Sequence, residues 1–185
     1  MFSNSCVRLL IKEVEAFEQI ELVHAGLGIL RIRIQDDSDL IPLETVLDEI
    51  GFSIISDPEI ELVEKAKTAA VELIWYANNI NSLVRNSDYI SDKLQQPYDK
   101  ISRIFSQHCG LTLERFILLL KMEKIKEMLL SKEYSLSEIS FLLDYSSVQY
   151  LSRQFKQLCG CTVSEYLENP ELYPRKALED LIEKG

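Results

Sequence analysis

Apolar positions recur at helical spacing along most of this chain, interrupted by one short region that alternates with a period of two. The segment from Ser3 to Phe17 reads as a loop entering an amphipathic helix, with Leu9, Leu10, Val14 and Phe17 on one side. Two strand signals follow. Ile20 to Val23 is short and β-prone, and Ile29 to Ile34, behind Gly26 and Gly28, alternates as ILRIRI with Arg31 and Arg33 on one face. A helix from about Leu43 to Ile50 presents Val46, Leu47 and Ile50 and stops at Gly51, after which Phe52 to Ile55 is predicted as a further strand. Pro58 suits the first turn of a long helix reaching about Ala77. The polar, asparagine-rich stretch from Asn78 to Asn86 marks the predicted domain boundary.

From Ser87 onward the pattern is helical throughout. It predicts a short helix at Tyr89 to Leu94, a longer one at Tyr98 to Cys109 and a connector from Leu113 to Leu130. Ser135 and Glu138 form an S-x-x-E capping box opening another short helix to Leu143, and Val148 to Cys159 is the next long one. The tail reads as one more exposed helix from Pro174. Within this half, residues 101–116 (ISRIFSQHCGLTLERF) recur fifty positions later as residues 151–166 (LSRQFKQLCGCTVSEY) with seven identities. These are Ser102/Ser152, Arg103/Arg153, Phe105/Phe155, Gln107/Gln157, Cys109/Cys159, Gly110/Gly160 and Thr112/Thr162, with Ile101/Leu151 and Phe116/Tyr166 as apolar equivalents. One structural unit has been used twice: a short helix, a tight turn and a longer helix.

A helix-turn-helix works because its first helix braces a second, whose N-terminal end enters the DNA major groove while its apolar side faces the brace. In the second copy Leu151, Phe155 and Leu158 supply the braced side, leaving Gln149, Ser152, Arg153 and Lys156 outward. In the first, Ile101, Ile104 and Phe105 are braced, leaving Tyr98, Asp99, Ser102, Arg103 and Ser106 outward. Arginine at the matching place in both copies suits a guanine edge or a phosphate, either of which its planar fork grips with two hydrogen bonds. Periodicity alone fits a plain helical bundle with solvated faces equally well; the duplication favours two adjacent major-groove segments, roughly 34 Å apart.

Charge changes this picture only once it is divided along the chain. The whole carries −10, which is unpromising for a nucleic-acid partner. Residues 1–83 hold 6 basic against 15 acidic groups, whereas residues 84–169 hold 11 of each and residues 170–185 hold 3 against 4. The repeated half is therefore neutral, and its cations can still gather on one face. A length of 185 residues accommodates two small domains. There is no apolar run of eighteen or more and no secretory leader pattern, so the chain is expected in the cytoplasm and off the membrane. The four cysteines, Cys6, Cys109, Cys159 and Cys161, read as small buried thiols rather than a disulfide framework.

On these residues, 87–168 resemble the DNA-binding domain of the AraC/XylS family of bacterial transcription regulators. The matching positions are Ile90, Leu94, Ile101, Phe105, Gly110 and Phe116 in the first unit and Ile139, Tyr145, Leu151, Arg153, Phe155, Gly160 and Tyr166 in the second. Lys121, Met122 and Ile125 stand at connector positions where that family usually has Arg, Leu and Ala. The family usually places glycine in each turn, where this chain has Gln95 and Asp144, and Thr162-Val163 replaces its serine-proline. The resemblance implies double-stranded DNA as partner. It implies base or backbone contact by Ser102, Arg103, Gln149, Ser152 and Arg153, and phosphate contact by Lys100 and Lys156. Taken singly, the two lysines also read as ordinary solvated charges. Asp99, at an outward position, would repel phosphate; it either accepts from a cytosine amino group or serves as a helix N-terminal carboxylate, the commoner use.

The order of elements over residues 1–57 resembles a ferredoxin-like, heavy-metal-associated βαββαβ domain lacking its first strand. That family's M-x-C-x-x-C loop grips a soft cation with two thiolates. Here Met1 to Cys6 would fill it with serine in place of the first cysteine, leaving Cys6 as a weak candidate and no metal site expected. The expected fold class is thus α+β: a ferredoxin-like domain over 1–57, a helix and linker over 58–86, an all-α double helix-turn-helix domain over 87–169, and a tail helix over 170–185. An unprotected sheet edge, or the Pro58 to Ala77 helix, is where a homodimer would form.

No nucleophile-base set, glycine-rich phosphate loop or HExxH pattern is present, so neither an enzyme nor a cofactor is expected. Asp36, Asp37 and Asp39 read as a solvated loop, and His24 and His108 as ordinary polar residues. Three functions remain: a sequence-specific transcription regulator, a metal-sensing or metal-handling protein, and an adaptor that keeps the helical fold but binds protein through its acidic surface.

Overall fold

The computed structural model describes residues 4–26, 29–36, 38, 40–76, 86–177 and 179–181. Gly28, Asp37, Asp39, the loop start at Met1 to Ser3, most of the expected boundary stretch (residues 77–85), and residues 178 and 182–185 of the tail lie outside it. The chain divides into two compact units, Met1–Thr68 and Ala69–Gly185.

The first unit opens with α1 (Asn4–Glu15), followed by the strands β1 (Glu21–Ala25) and β2 (Leu30–Arg33), α2 (Leu40–Glu49) and the start of α3 (Pro58–Trp75). The two strands pair antiparallel, and a bulge between Leu22 and His24 leaves Val23 without a partner in the register. Leu30 and Ile32 of β2 pack on a core of Leu10, Val14, Ile20, Leu43 and Leu47, while Arg33 pairs with Glu21 at 2.6 Å and Arg31 with Glu61 at 3.0 Å on the exposed face. Leu9, expected to join this core, is 40% exposed; Leu10 and Val14 take the buried stripe.

Phe52 to Ile55 forms no strand, and the described sheet has two strands only. Phe52 and Ile54 do pack on the core, and the Phe52 N–H donates to the Leu47 carbonyl at 2.8 Å across the left-handed Gly51, closing the end of α2. Alternation along a sequence encodes which side chains are buried, not whether the backbone finds a ladder partner.

The second unit is helical. After the end of α3 come α4 (Asn86–Leu94), α5 (Tyr98–Cys109), α6 (Leu113–Ser131), α7 (Leu136–Leu142), α8 (Val148–Cys159) and α9 (Val163–Glu168). The short helices α4 and α7 brace α5 and α8. Their turns are built alike: Gln95 (φ 52°) and Asp144 (φ 56°) sit in the left-handed region, and the next N–H in each, of Gln96 and Tyr145, returns to the carbonyls of Ser91 and Ser140. Both long helices end on left-handed glycines, Gly110 (φ 70°) and Gly160 (φ 77°). A buried residue follows, Leu111 or Cys161, and then a threonine N-cap, Thr112 or Thr162, whose hydroxyl accepts from the third backbone N–H of the next helix. Across each corner an aromatic pair closes the unit, Phe105 with Phe116 at 5.5 Å and Phe155 with Tyr166 at 5.6 Å.

The connector α6 is buried nearly all round, which is why no single apolar stripe marks it in the sequence. Its later residues Met122, Ile125, Met128 and Leu129 join Ile139, Leu143, Leu151, Phe155, Cys161 and Tyr166 in one core. It also carries a buried ion pair, Lys126 to Glu123 at 2.9 Å, with both side chains 5% exposed.

The tail, expected as an exposed α-helix from Pro174, instead forms two short 3-10 turns among its described residues, Pro170–Leu172 and Glu179–Leu181. Side chains of α6 take the backbone groups a helix would use. The Lys176 N–H donates to Glu123 at 3.0 Å, Lys126 donates to the Pro174 carbonyl at 3.3 Å, and Leu181 is buried. Among the described residues no helix is long and apolar enough to cross a membrane.

Candidate nucleic-acid interface

The two long repeated helices, α5 and α8, are each twelve residues long, and equivalent residues fall at equivalent places in them. Ile101, Ile104 and Phe105 are buried in the first, Leu151 and Phe155 in the second, with Leu158 half-buried against the same core. The opposite faces are open. Arg103 and Arg153, each the sixth residue of its helix, are exposed, and neither guanidinium is held by a carboxylate among the described residues. Ser102 and Ser152 stand half-buried beside them; Gln149, Lys100 and Lys156 are exposed. Lys100 donates to the side chain of Gln96 at 3.0 Å, which keeps its ammonium near the turn.

Two residues expected outward are used internally. The hydroxyl of Tyr98 donates to Glu114 at 2.6 Å, pinning the start of α5 to the start of α6. Burial and that bond raise the tyrosine pKa, and the same bond holds Glu114 below the usual carboxylate value. Ser106 donates to the Ser102 carbonyl at 2.8 Å.

The helix ends are prepared differently in the two copies. Ser147 caps α8 by accepting from the Tyr150 N–H, whereas α5 begins at Pro97 with no side-chain cap. After the corner, Glu165 completes a capping box with Thr162, while its counterpart fifty residues earlier is the exposed Arg115. Arg115 therefore adds a cation to the first unit that a search for repeated residues passes over, because the repeat does not preserve it.

The sequence reading also missed what Lys121 does. Its ammonium donates to the Leu143 carbonyl at 3.0 Å, at the C-terminal end of α7, and lies 5.5 Å from the centre of the Tyr145 ring. Burial pulls its pKa down, partly opposed by the Asp144 charge. A second node is Glu127, which accepts from the Trp75 indole at 3.1 Å, from Lys124 at 2.6 Å and from Arg175 at 3.0 Å. Lys124 is three residues from Glu127, but Trp75 and Arg175 are 52 and 48 residues away and Leu143 is 22 from Lys121, so those contacts carry no spacing signal.

Two of the four thiols are held away from the reactive thiolate by burial. Burial pushes Cys159 up to about 11 and raises Cys161 as well. Cys6 is half-buried in α1, and no group of three or more metal-ligating side chains is gathered among the described residues.

Two short-helix, turn, long-helix units sharing one connector define a double helix-turn-helix. A family described as helix-turn-helix domain matches residues 90–169. The xylose operon regulatory protein of Escherichia coli (strain K12) is 25% identical over 138 residues, covering 70% of this chain and 33% of that protein. The chain thus spans about a third of the length of the curated relatives it matches. Among solved structures, the C-terminal domain of AraT, a response regulator from Geobacillus stearothermophilus, is similar at 22% identity and a TM-score of 0.49, over 61% of this chain and 86% of that one. A DNA-binding transcriptional dual regulator from Escherichia coli K-12 is similar at 15% identity and a TM-score of 0.48, over 65% and 99%. The described helices and the family match agree: residues 90–169 form a helix-turn-helix domain.

Proposed function

We propose that this chain is an AraC/XylS-type regulator that reads double-stranded DNA by laying α5 and α8 in adjacent major-groove segments. The observation that carries the reading is the pair Arg103 and Arg153, equivalent in the repeat, exposed, and without a carboxylate partner among the described residues. Ser102, Gln149 and Ser152 complete the base-facing or backbone-facing set, and Lys100 and Lys156 contact phosphate. In this reading residues 87–169 are the DNA-binding part, 58–86 the helix and linker ahead of it, and 170–185 a tail.

Residues 1–57 form the acidic front domain that senses a signal or brings two copies together. Helix, hairpin and helix in that order support a ferredoxin-like, heavy-metal-associated-like ancestry, while a single thiol at Cys6 argues against soft-metal binding. A homodimer would use the hairpin edge or α3, and a monomer mass at micromolar concentration removes it.

The test is selection of bound duplexes from a random pool at two salt concentrations. An enriched motif with two parts one helical turn apart, and affinity falling steeply with salt, is the expected result. No retained DNA at low salt overturns the reading and favours a protein-binding adaptor.

A further inference from the structure

Residues fifty apart occupy the same place in α5 and α8, so the two reading faces can be compared position by position. The fifth, sixth and tenth residues are identical: Ser102/Ser152, Arg103/Arg153 and Gln107/Gln157. The second and third are not. At the third, both exposed residues are engaged within the chain, Lys100 donating to Gln96 and Tyr150 accepting from Gln154. The second is Asp99 in the first helix and Gln149 in the second, both exposed. Second and sixth residues of a helix lie on one face, about 6 Å apart along its axis, or roughly two base-pair steps.

Asp99 stands apart from the other first-turn acids of this domain. Asp88 accepts from Ser87, Glu114 from Tyr98, Glu138 from Ser135 and Glu165 from Thr162. Asp99 accepts no hydrogen bond among the described residues. Nor does it form the ion pair with Arg103 that their i, i+4 spacing would allow. Its carboxylate makes no capping hydrogen bond, so what it gives the first turn of α5 is charge alone. The group is left open at the N-terminal end of a reading helix, beside an arginine that is also open.

A carboxylate can only accept. Guanine offers two acceptors in the major groove and adenine sets an acceptor beside its amino group, so both repel it; cytosine presents an amino donor. The amide of Gln149 both donates and accepts, the pattern of adenine's edge. We infer that Asp99 and Gln149 set the difference between the two half-sites: both contain the guanine read by Arg103 or Arg153, and about two steps away the first carries cytosine where the second carries adenine. This rests on the DNA-reading proposal above.

The test selects duplexes from a random pool with the full chain, with Asp99→Gln and with Gln149→Asp. The unaltered chain should enrich two related half-sites differing at one position. Asp99→Gln should move that position of one half-site from cytosine to adenine by roughly ten- to a hundredfold in preference and leave the other half-site unchanged, and Gln149→Asp should do the reverse. A motif that both variants leave unaltered overturns this inference alone, as does weakened binding with the same preferred bases. A pool from which the unaltered chain enriches nothing overturns the DNA reading with it.

Discussion

Lys121, near the middle of the connector, donates to the carbonyl oxygen of Leu143 at 3.0 Å and so fastens the end of α7 to α6. The contact lies one residue before the left-handed Asp144, at the turn that sets the angle between α7 and α8. Burial depresses the ammonium's pKa, so the bond and the Tyr145 ring offset only part of the desolvation. Lys121→Ala loses the bond and the packed stem, and should lower stability by about 2 kcal/mol. Lys121→Met keeps the stem and removes the buried charge, and should lose distinctly less in urea unfolding. Equal losses would show that the carbonyl bond dominates.

Gln95 and Asp144 hold the left-handed conformation that glycine adopts without strain. Gln95→Gly and Asp144→Gly should each relieve about 0.5–1 kcal/mol of backbone strain, less what is lost with the Gln95 bond to the Asp92 carbonyl and with the Asp144 charge near Lys121. Gly160→Ala reverses the argument. A methyl group there meets nothing within 4 Å, so a loss of about 1 kcal/mol would come from the backbone at φ 77° and not from a clash. Urea midpoints of the three variants check the sign of each.

These turns show how much was legible. Both α5 and α8 begin and end where the sequence predicts, because Gly110 and Gly160 fix one end and Thr112 and Thr162 restart the chain two residues later. The Ser135/Glu138 capping box is likewise a local signal that the structure realises. What failed was non-local. Phe52 to Ile55 has the alternation of a strand but no ladder partner, Tyr98 turned to Glu114, and the tail surrendered its helix to Glu123 and Lys126. Outward positions on α5 and α8 could be read from period alone. Which of them keep an unengaged charge could not, since that depends on partners elsewhere in the chain.

The buried pair Glu123 and Lys126 makes the tail's attachment testable. Each side chain also holds a tail backbone group, so removing one partner strands the other in a site closed to water. Glu123→Ala should cost about 3–5 kcal/mol, while replacing both by leucine and methionine should cost far less. Thermal unfolding of the single and double variants decides. A double variant as unstable as the single one would mean that the tail contacts, and not the charge, dominate.

Glu138 and Glu165 are held below the ordinary carboxylate value of 4.5 chiefly by accepting the backbone N–H of Ser135 and Thr162, and next by the hydroxyls of the same residues. The unfolded chain lacks these bonds, so it binds the proton more tightly than the folded one. The stabilisation is complete above the unfolded value and disappears as pH falls through the lower folded one. The melting temperature should drop between about pH 5 and pH 3, and a Glu138→Gln, Glu165→Gln variant should show a smaller drop. Parallel profiles would assign the acid sensitivity to other carboxylates, such as Glu61 and Glu127.

Arg153 and Lys156 lie three residues apart on the exposed side of α8, and the separate roles proposed for them predict separate losses. An arginine bonded to a guanine edge discriminates between bases, so Arg153→Ala should weaken the selected site by about 1–3 kcal/mol and relax preference at one position. A lysine on phosphate releases counterions without reading sequence. Lys156→Ala should weaken all duplexes alike and reduce the slope of log affinity against log salt by about 1. Titrations of both variants on the selected duplex and a scrambled one, across a salt series, separate the two effects. If Arg153→Ala lowers both duplexes equally, its guanidinium grips the backbone, and base recognition in the second unit passes to Gln149 and Ser152.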